Sequence, residues 1–201
     1  MPPKTVYSRE DVIEAGYDLL AAQGLQGISA RAVARRLGCS TAPVYSHFNS
    51  MDELVRAVLL RAKDHLHRYS TEPYTDGIFL NIGVGIANFA RDHAPLFRAL
   101  FMESDAYRDI VEQFRSDMLQ QMRKDERLRD LSLTQCDTLL THMSIFTHGL
   151  AAMICVGLME ETDQESIIAA LRAVGGAVLG AMMMEAGGQQ EKTGEQPGAG
   201  P

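Results

Sequence analysis

Apolar residues recur along this chain at helical rather than alternating spacing, and the pattern predicts helices almost from end to end. Ser8, with Asp11 three residues on, caps a first helix carrying Val12, Ala15, Gly16, Leu19 and Leu20, and Gly24 stops it. Ser29 caps a second in which Ala30, Val33, Ala34 and Leu37 follow i, i+3, i+4, i+7 before Gly38 ends it. A third starts at Ser40 or Thr41 and tolerates Pro43, because first-turn amides have no intrahelical acceptor. It ends near His47 and Phe48. Two short helices across a glycine-containing turn predict a helix-turn-helix.

Ser50 and Glu53 form a capping box that opens a fourth helix with Leu54, Val58, Ala62, Leu66 and Tyr69 on one side, running to about Ser70. Thr71 to Asp76, with Pro73, reads as a connection. Ile78, Ile82, Ile86 and Phe89 mark a fifth helix, Pro95 opens a sixth, and Tyr107, Val111, Phe114, Met118 and Met122 mark a seventh. Two further capping boxes, Ser132 with Gln135 and Thr162 with Glu165, start the last two, which run to about Met159 and Ala186. The expectation is an all-α fold of about nine helices: a three-helix head over residues 1–49, a helical body over 50–186, and a disordered tail over 187–201, where Gly, Gln, Glu and Pro leave no apolar anchor. Two apolar runs were weighed as membrane spans. Met143 to Met159 is interrupted by Ser144, Thr147 and His148, and Ala173 to Met184 falls short of the roughly 20 residues a bilayer needs, so no membrane partner is expected.

Composition agrees with the pattern. With 201 residues, 46% of them hydrophobic, the chain has enough apolar surface for a sizeable core. The N-terminus has no apolar stretch resembling a secretory signal, so a cytoplasmic location is expected. Cys39, Cys136 and Cys155 are odd in number and lack metal-ligand spacing, so neither a disulfide framework nor a metal site is expected, and no motif calls for a cofactor. The net charge of −7 first argues against nucleic acid, but its distribution reverses that. Residues 1–50 hold five basic and four acidic side chains, against 14 and 22 in the rest. Between Gln26 and Ser50 there are three arginines and no acid. A basic face on an acidic body suits a DNA-binding head attached to a regulatory domain.

From Gly24 to Leu54 the residues closely resemble the DNA-binding head of the tetracycline-repressor (TetR) family, above all in Val33-Ala34, Leu37-Gly38, Ser40, Val44-Tyr45, His47-Phe48 and Glu53-Leu54. The resemblance covers about 50 residues. Two positions depart from it: Met51 stands where a phosphate-contacting Lys is common, and Ala42-Pro43 replaces a small or polar pair. The resemblance implies nine helices, a homodimer with the last two helices at its interface, and repression of transcription relieved by a small-molecule effector. Within the head, Val44 and Phe48 are expected in the core with Val33, Leu37 and Leu20. Ser29, Tyr45 and His47 are assigned to phosphates of double-stranded operator DNA, and Arg31, Thr41, Ala42, Pro43 and Ser46 to base edges. Arg35 and Arg36 read equally well as a solvated face.

In the body, Ala169, Ala173, Ala177 and Ala181 at i, i+4 spacing, beside Gly176 and Gly180, form a stripe of small residues. It serves either packing within the chain or a partner helix. Two successive apolar helices offer more surface than one partner covers, which favours a symmetric four-helix dimer interface. Phe89, Phe101, Phe114, Met118, Met143 and Phe146 are first of all core and equally fit the wall of an effector cavity, with one of His142 and His148 as a polar contact. His65 and His67, at i and i+2, point apart on a helix and do not make a metal pair. No nucleophile elbow, phosphate-cradling loop or acid pair argues for an enzyme. A helical enzyme and an effector-independent DNA-binding protein are the alternatives.

Overall fold

The computed structural model describes residues 7–103 and 105–194. Among these the chain forms nine α-helices, α1 (Arg9–Gln23), α2 (Ala30–Leu37), α3 (Ala42–His47), α4 (Met51–Thr71), α5 (Ile78–Asp92), α6 (Ala94–Phe101), α7 (Arg108–Met122), α8 (Leu133–Cys155) and α9 (Gln164–Gly194), with short 3-10 turns between some of them.

The helix ends show why these segments fold locally. Ser8 and Asp11 close a reciprocal capping box at α1, and Ser132 and Gln135 do the same at α8. Gly38 ends α2 at φ 70°, ψ 31°, a left-handed conformation that a side chain would strain. Two of the expected boxes are corrected. At α4 the Ser50 hydroxyl accepts from the Glu53 amide, but the Glu53 carboxylate turns to the Asn49 backbone and side-chain amides instead of completing the exchange. At α9 the cap is Asp163, whose carboxylate accepts from the amides of Glu165 and Ser166. A carboxylate one residue closer to the helix start displaces Thr162 from the role.

A continuous core runs from Val12 and Leu20 through Val44, Phe48, Leu54 and Val58 to Phe89, Phe97, Leu139 and Leu171. α1 packs on α4 and α6 as well as on α2 and α3, so the head is seated on the body through its first helix. Val33, Val44, Phe48 and Leu20 are buried as expected, with Leu37 partly so. α5 is the central strut, packed against α4, α8 and α9. Gly85 makes its crossing with α4 possible: a Cβ there would lie 2.2 Å from the Tyr69 carbonyl oxygen.

α9 runs 31 residues, past the expected end at Ala186 to Gly194. Gln189, Gln190, Glu191 and Lys192 are good helix formers, which is why the backbone continues over 187–194 where a disordered tail was expected. Residues 195–201 of that tail lie outside the described residues. Both α8 and α9 are long and apolar enough, by length and composition, to cross a membrane, so the expectation that the last apolar run is too short is also corrected. α8 spends its apolar side chains on the core, burying Leu139, Leu140, Met143 and Leu150. α9 buries Ile167 and Leu171 and leaves its opposite side uncovered.

Candidate functional site

The head presents α3 outward. Val44 and Phe48 anchor it in the core, which turns the intervening Tyr45 away from it, 59% exposed. Ala42 and Ser46 are exposed beside it, while Thr41 and Pro43 are half-buried. Thr41 makes no side-chain hydrogen bond to cap the helix, and its hydroxyl has no partner among the described residues. The Ser46 hydroxyl donates to the Pro43 carbonyl at 2.8 Å, which leaves its oxygen as an acceptor. Ser29 caps α2 by accepting from the Ala32 amide at 3.2 Å and stays exposed.

The arginines divide. Arg36 is held by Asp18, with guanidinium bonds of 2.9 and 2.6 Å, whereas Arg31 and Arg35 are exposed without an acidic partner among the described residues. His47 also has a structural contact. Its Nε2 lies 2.8 Å from the Tyr7 carbonyl oxygen, which can only accept, so this nitrogen carries the proton. That bond ties His47 to the segment entering α1. Tyr7 adds to that join by donating its hydroxyl to the Leu37 carbonyl at 2.5 Å.

The body forms a partly open cavity of about 400 Å³ lined from α5, α6, α7, α8 and α9, near the lower end of the size range of small-molecule sites. Phe101, Phe114, Met118 and Met143 line it, as the sequence suggested. Phe89, His142 and Phe146 do not. Phe89 faces α4, edge-on to His65 at 5.5 Å and to Tyr69 at 5.4 Å. His142 is exposed, and Phe146 lies half-buried outside the lining. Helical phase places each on an apolar or polar side but does not say which neighbour that side meets. The sequence reading missed Ile82, Ile86, Leu139, Leu140 and Thr147 as wall residues. Of the two α8 histidines considered as polar contacts, it is His148 that the structure puts in the wall.

Head and cavity are joined mechanically. α4 starts beside α3 and ends against α5. Its N-terminal half is tied to α7 by an Arg56–Asp109 ion pair and by the Tyr107 hydroxyl donating to Asp52. α7 also supplies Phe114 and Met118 to the cavity. At the other end of α4, His65 and Tyr69 meet Tyr17 of α1 and His93 at the end of α5.

On α9, Ala169, Ala173, Gly176, Ala177 and Ala181 are exposed and Gly180 is half-buried. The neighbouring surface of α8 exposes Ile145 and Met153, 70% and 44% respectively.

Residues 12–58 match the model of the family described as bacterial regulatory proteins, tetR family. A stretch of 98 residues, 49% of this chain and 43% of the relative, is 30% identical to the HTH-type transcriptional regulator AlkX of Mycobacterium tuberculosis, so the match spans under half of that protein's length. The whole fold is similar to a tetR-family transcriptional regulator from Streptomyces coelicolor, with TM-score 0.67 and 20% identity over 96% of this chain and 91% of that one. It is also similar to the multidrug binding protein EbrR complexed with imidazole, with TM-score 0.60 and 16% identity over 82% and 93%.

Proposed function

We propose that this chain is a tetR-family repressor: a homodimer that binds a palindromic operator through α2 and α3 and releases it when a small, largely apolar molecule fills the cavity. Tyr45 and the N-terminal end of α2 at Ser29 position the head on phosphates, while Arg31, Thr41, Ala42, Pro43 and Ser46 face base edges. The dimer forms by packing α8 and α9 on their two-fold copies, with the small residues of α9 at the centre. Such a protein works in the cytoplasm, where the DNA is.

The observation that carries this reading is α4. One helix follows directly on the recognition helix and packs against α5 and α7, which line the cavity, and α7 grips it through Arg56–Asp109 and Tyr107–Asp52. An occupant that pushes α7 outward therefore shifts the N-terminal end of α4 and the recognition helix with it. The ligand acts only through its preference for the DNA-incompetent arrangement. A hundredfold loss of operator affinity corresponds to about 2.7 kcal/mol of coupling, and operator weakens ligand binding equally.

A gel shift against the DNA flanking the protein's own gene, with excess competitor, tests the first half. A retarded band that survives competitor, and a footprint over an inverted repeat, is expected. No protected repeat anywhere in that DNA overturns it. Titrating an apolar compound into free and operator-bound protein tests the second half, and equal affinities rule that compound out as an inducer.

A further inference from the structure

Accepting the cavity as the effector site, two adjacent residues of α8 narrow what can occupy it. Thr147 and His148 both line the cavity. Thr147 is 3% exposed, and its Oγ1 lies within van der Waals reach of the space above Gly83, another wall residue. Thr138 and Thr141, earlier on the same helix, return their hydroxyls to backbone carbonyls four residues back. The Thr147 hydroxyl makes no hydrogen bond among the described residues, so it is available to an occupant.

His148 is more informative. Its Nδ1 lies 2.7 Å from the Ser144 carbonyl oxygen. The carbonyl can only accept, so Nδ1 carries the proton, and in the neutral ring Nε2 is a bare acceptor. Burial keeps the ring below the usual histidine range and so uncharged at neutral pH. Phe101 stands edge-on to it at 4.6 Å and Phe97 flanks it at 6.0 Å, which fixes its orientation. Nε2, at the far side of the ring from the Ser144 bond, has no partner among the described residues.

The charges around the cavity are mostly spent. Arg115 is held by Asp137 at 2.8 Å and by Thr141 at 2.9 Å, and Arg127 by Asp76 at 2.5 Å. The buried Asp125 carboxylate accepts from the amides of Phe79 and Arg127. Arg172 is the lining cation without an acidic partner among the described residues, and it is exposed on α9, where water solvates it.

We propose that the occupant is a neutral, mainly apolar molecule bearing a hydroxyl group, which donates its proton to His148 Nε2 and finds its second polar contact in the Thr147 hydroxyl. A carboxylate in that place sets oxygen lone pairs against the Nε2 lone pair. A hydrocarbon displaces water from Nε2 and gives nothing back. A hydroxyl replaces the water in kind, while Ile82, Ile86, Phe114 and Met118 take the apolar remainder.

The test uses three probes of one skeleton, 4-propylphenol, 4-propyltoluene and 4-propylbenzoate, titrated calorimetrically into the full-length protein. The phenol is expected to bind about tenfold more tightly than the toluene, despite the latter's greater hydrophobicity, and more tightly than the benzoate. In His148→Phe, which keeps an aromatic ring and removes the acceptor, the phenol-to-toluene ratio is expected to fall to about one with toluene binding retained. Toluene or benzoate binding the wild type as tightly as the phenol overturns the hydroxyl assignment and leaves the cavity's role standing. A phenol preference that persists in His148→Phe overturns the assignment to His148. If none of the three binds, the effector-site reading falls with it. The wild-type series does not depend on the variant folding.

Discussion

The phenolic oxygen of Tyr17, on the first helix of the head, lies 2.5 Å from Nδ1 of His65 on α4. Burial raises the Tyr17 pKa, so the phenol keeps its proton and donates it. His65 accepts only as a neutral ring, and burial, then His93, Arg68 and Arg61, pull its pKa from 6.5 down to about 4. The head is thus joined to the body by a bond that requires an uncharged histidine.

Stability is accordingly expected to fall with acidification. Between pH 6.5 and 4 the unfolded chain binds a proton at His65 that the folded chain refuses, so stability rises with pH across that window. His93 and His148, also lowered by burial, act in the same direction. Melting temperatures from pH 7 to 4.5 should decline, and decline less in His65→Gln. Equal slopes for the two proteins would refute the role of His65.

Tyr45 and Arg31 are expected to fail differently. Tyr45→Ala should weaken binding to every sequence about equally and leave the melting temperature unchanged, because the side chain is already 59% exposed. Arg31→Ala should relax preference at one base position, by about 1–3 kcal/mol. Binding measured against a library of single-base operator variants separates the two. A Tyr45→Ala protein that binds normally at physiological salt rules out the phosphate contact.

Ala173→Glu is expected to split the dimer without unfolding the protomer. The position is exposed in one chain, so the carboxylate is solvated there. Against a two-fold copy it would be buried without a partner, at a cost of several kcal/mol. Sedimentation should show a wild-type dimer at micromolar concentration and a monomeric variant of unchanged helicity. A monomeric wild type would defeat both the interface and the palindrome.

Arg56→Ala is expected to blunt induction more than stability. The Arg56–Asp109 pair is solvent-exposed, so its loss should cost little folding stability. Yet it is one of two polar ties from the cavity-lining α7 to α4. Operator affinity without ligand should stay near wild type while the ligand-induced loss shrinks. Undiminished induction would show that force reaches α4 by another path.

The local parts of this fold were readable because their causes are local. Ser8, Ser29 and Ser132 cap helices whose apolar phase is plain within ten residues, and Val44 and Phe48 face the head core by the same periodicity. Long-range pairings were not readable. Nothing in the sequence says that Arg36 meets Asp18, that His47 meets Tyr7, or that Phe89 turns toward α4 while Phe114 turns into the cavity. His148 entered the cavity through helix packing that no spacing along α8 reveals, and His142, on the same helix, faces water. The acid that caps α9 stood beside an equally good consensus residue and won by one position.

The backbone contact at Gly85 also sets a mechanical advantage. With the end of α4 pressed on α5 there, that crossing can act as a fulcrum, and the 18 residue steps from Tyr69 back to Met51 form an arm about 27 Å long. A swing of about 5° at the fulcrum would carry the far end through about 2.4 Å. In a two-fold pair the heads would separate or close by up to about 5 Å, roughly one and a half base-pair steps of 3.4 Å. A displacement of α7 applied at Asp52 and Arg56 would act near the moving end of that arm and pass to the recognition helix almost undiminished, and Gly85→Ala would wedge the pivot with a single methyl group.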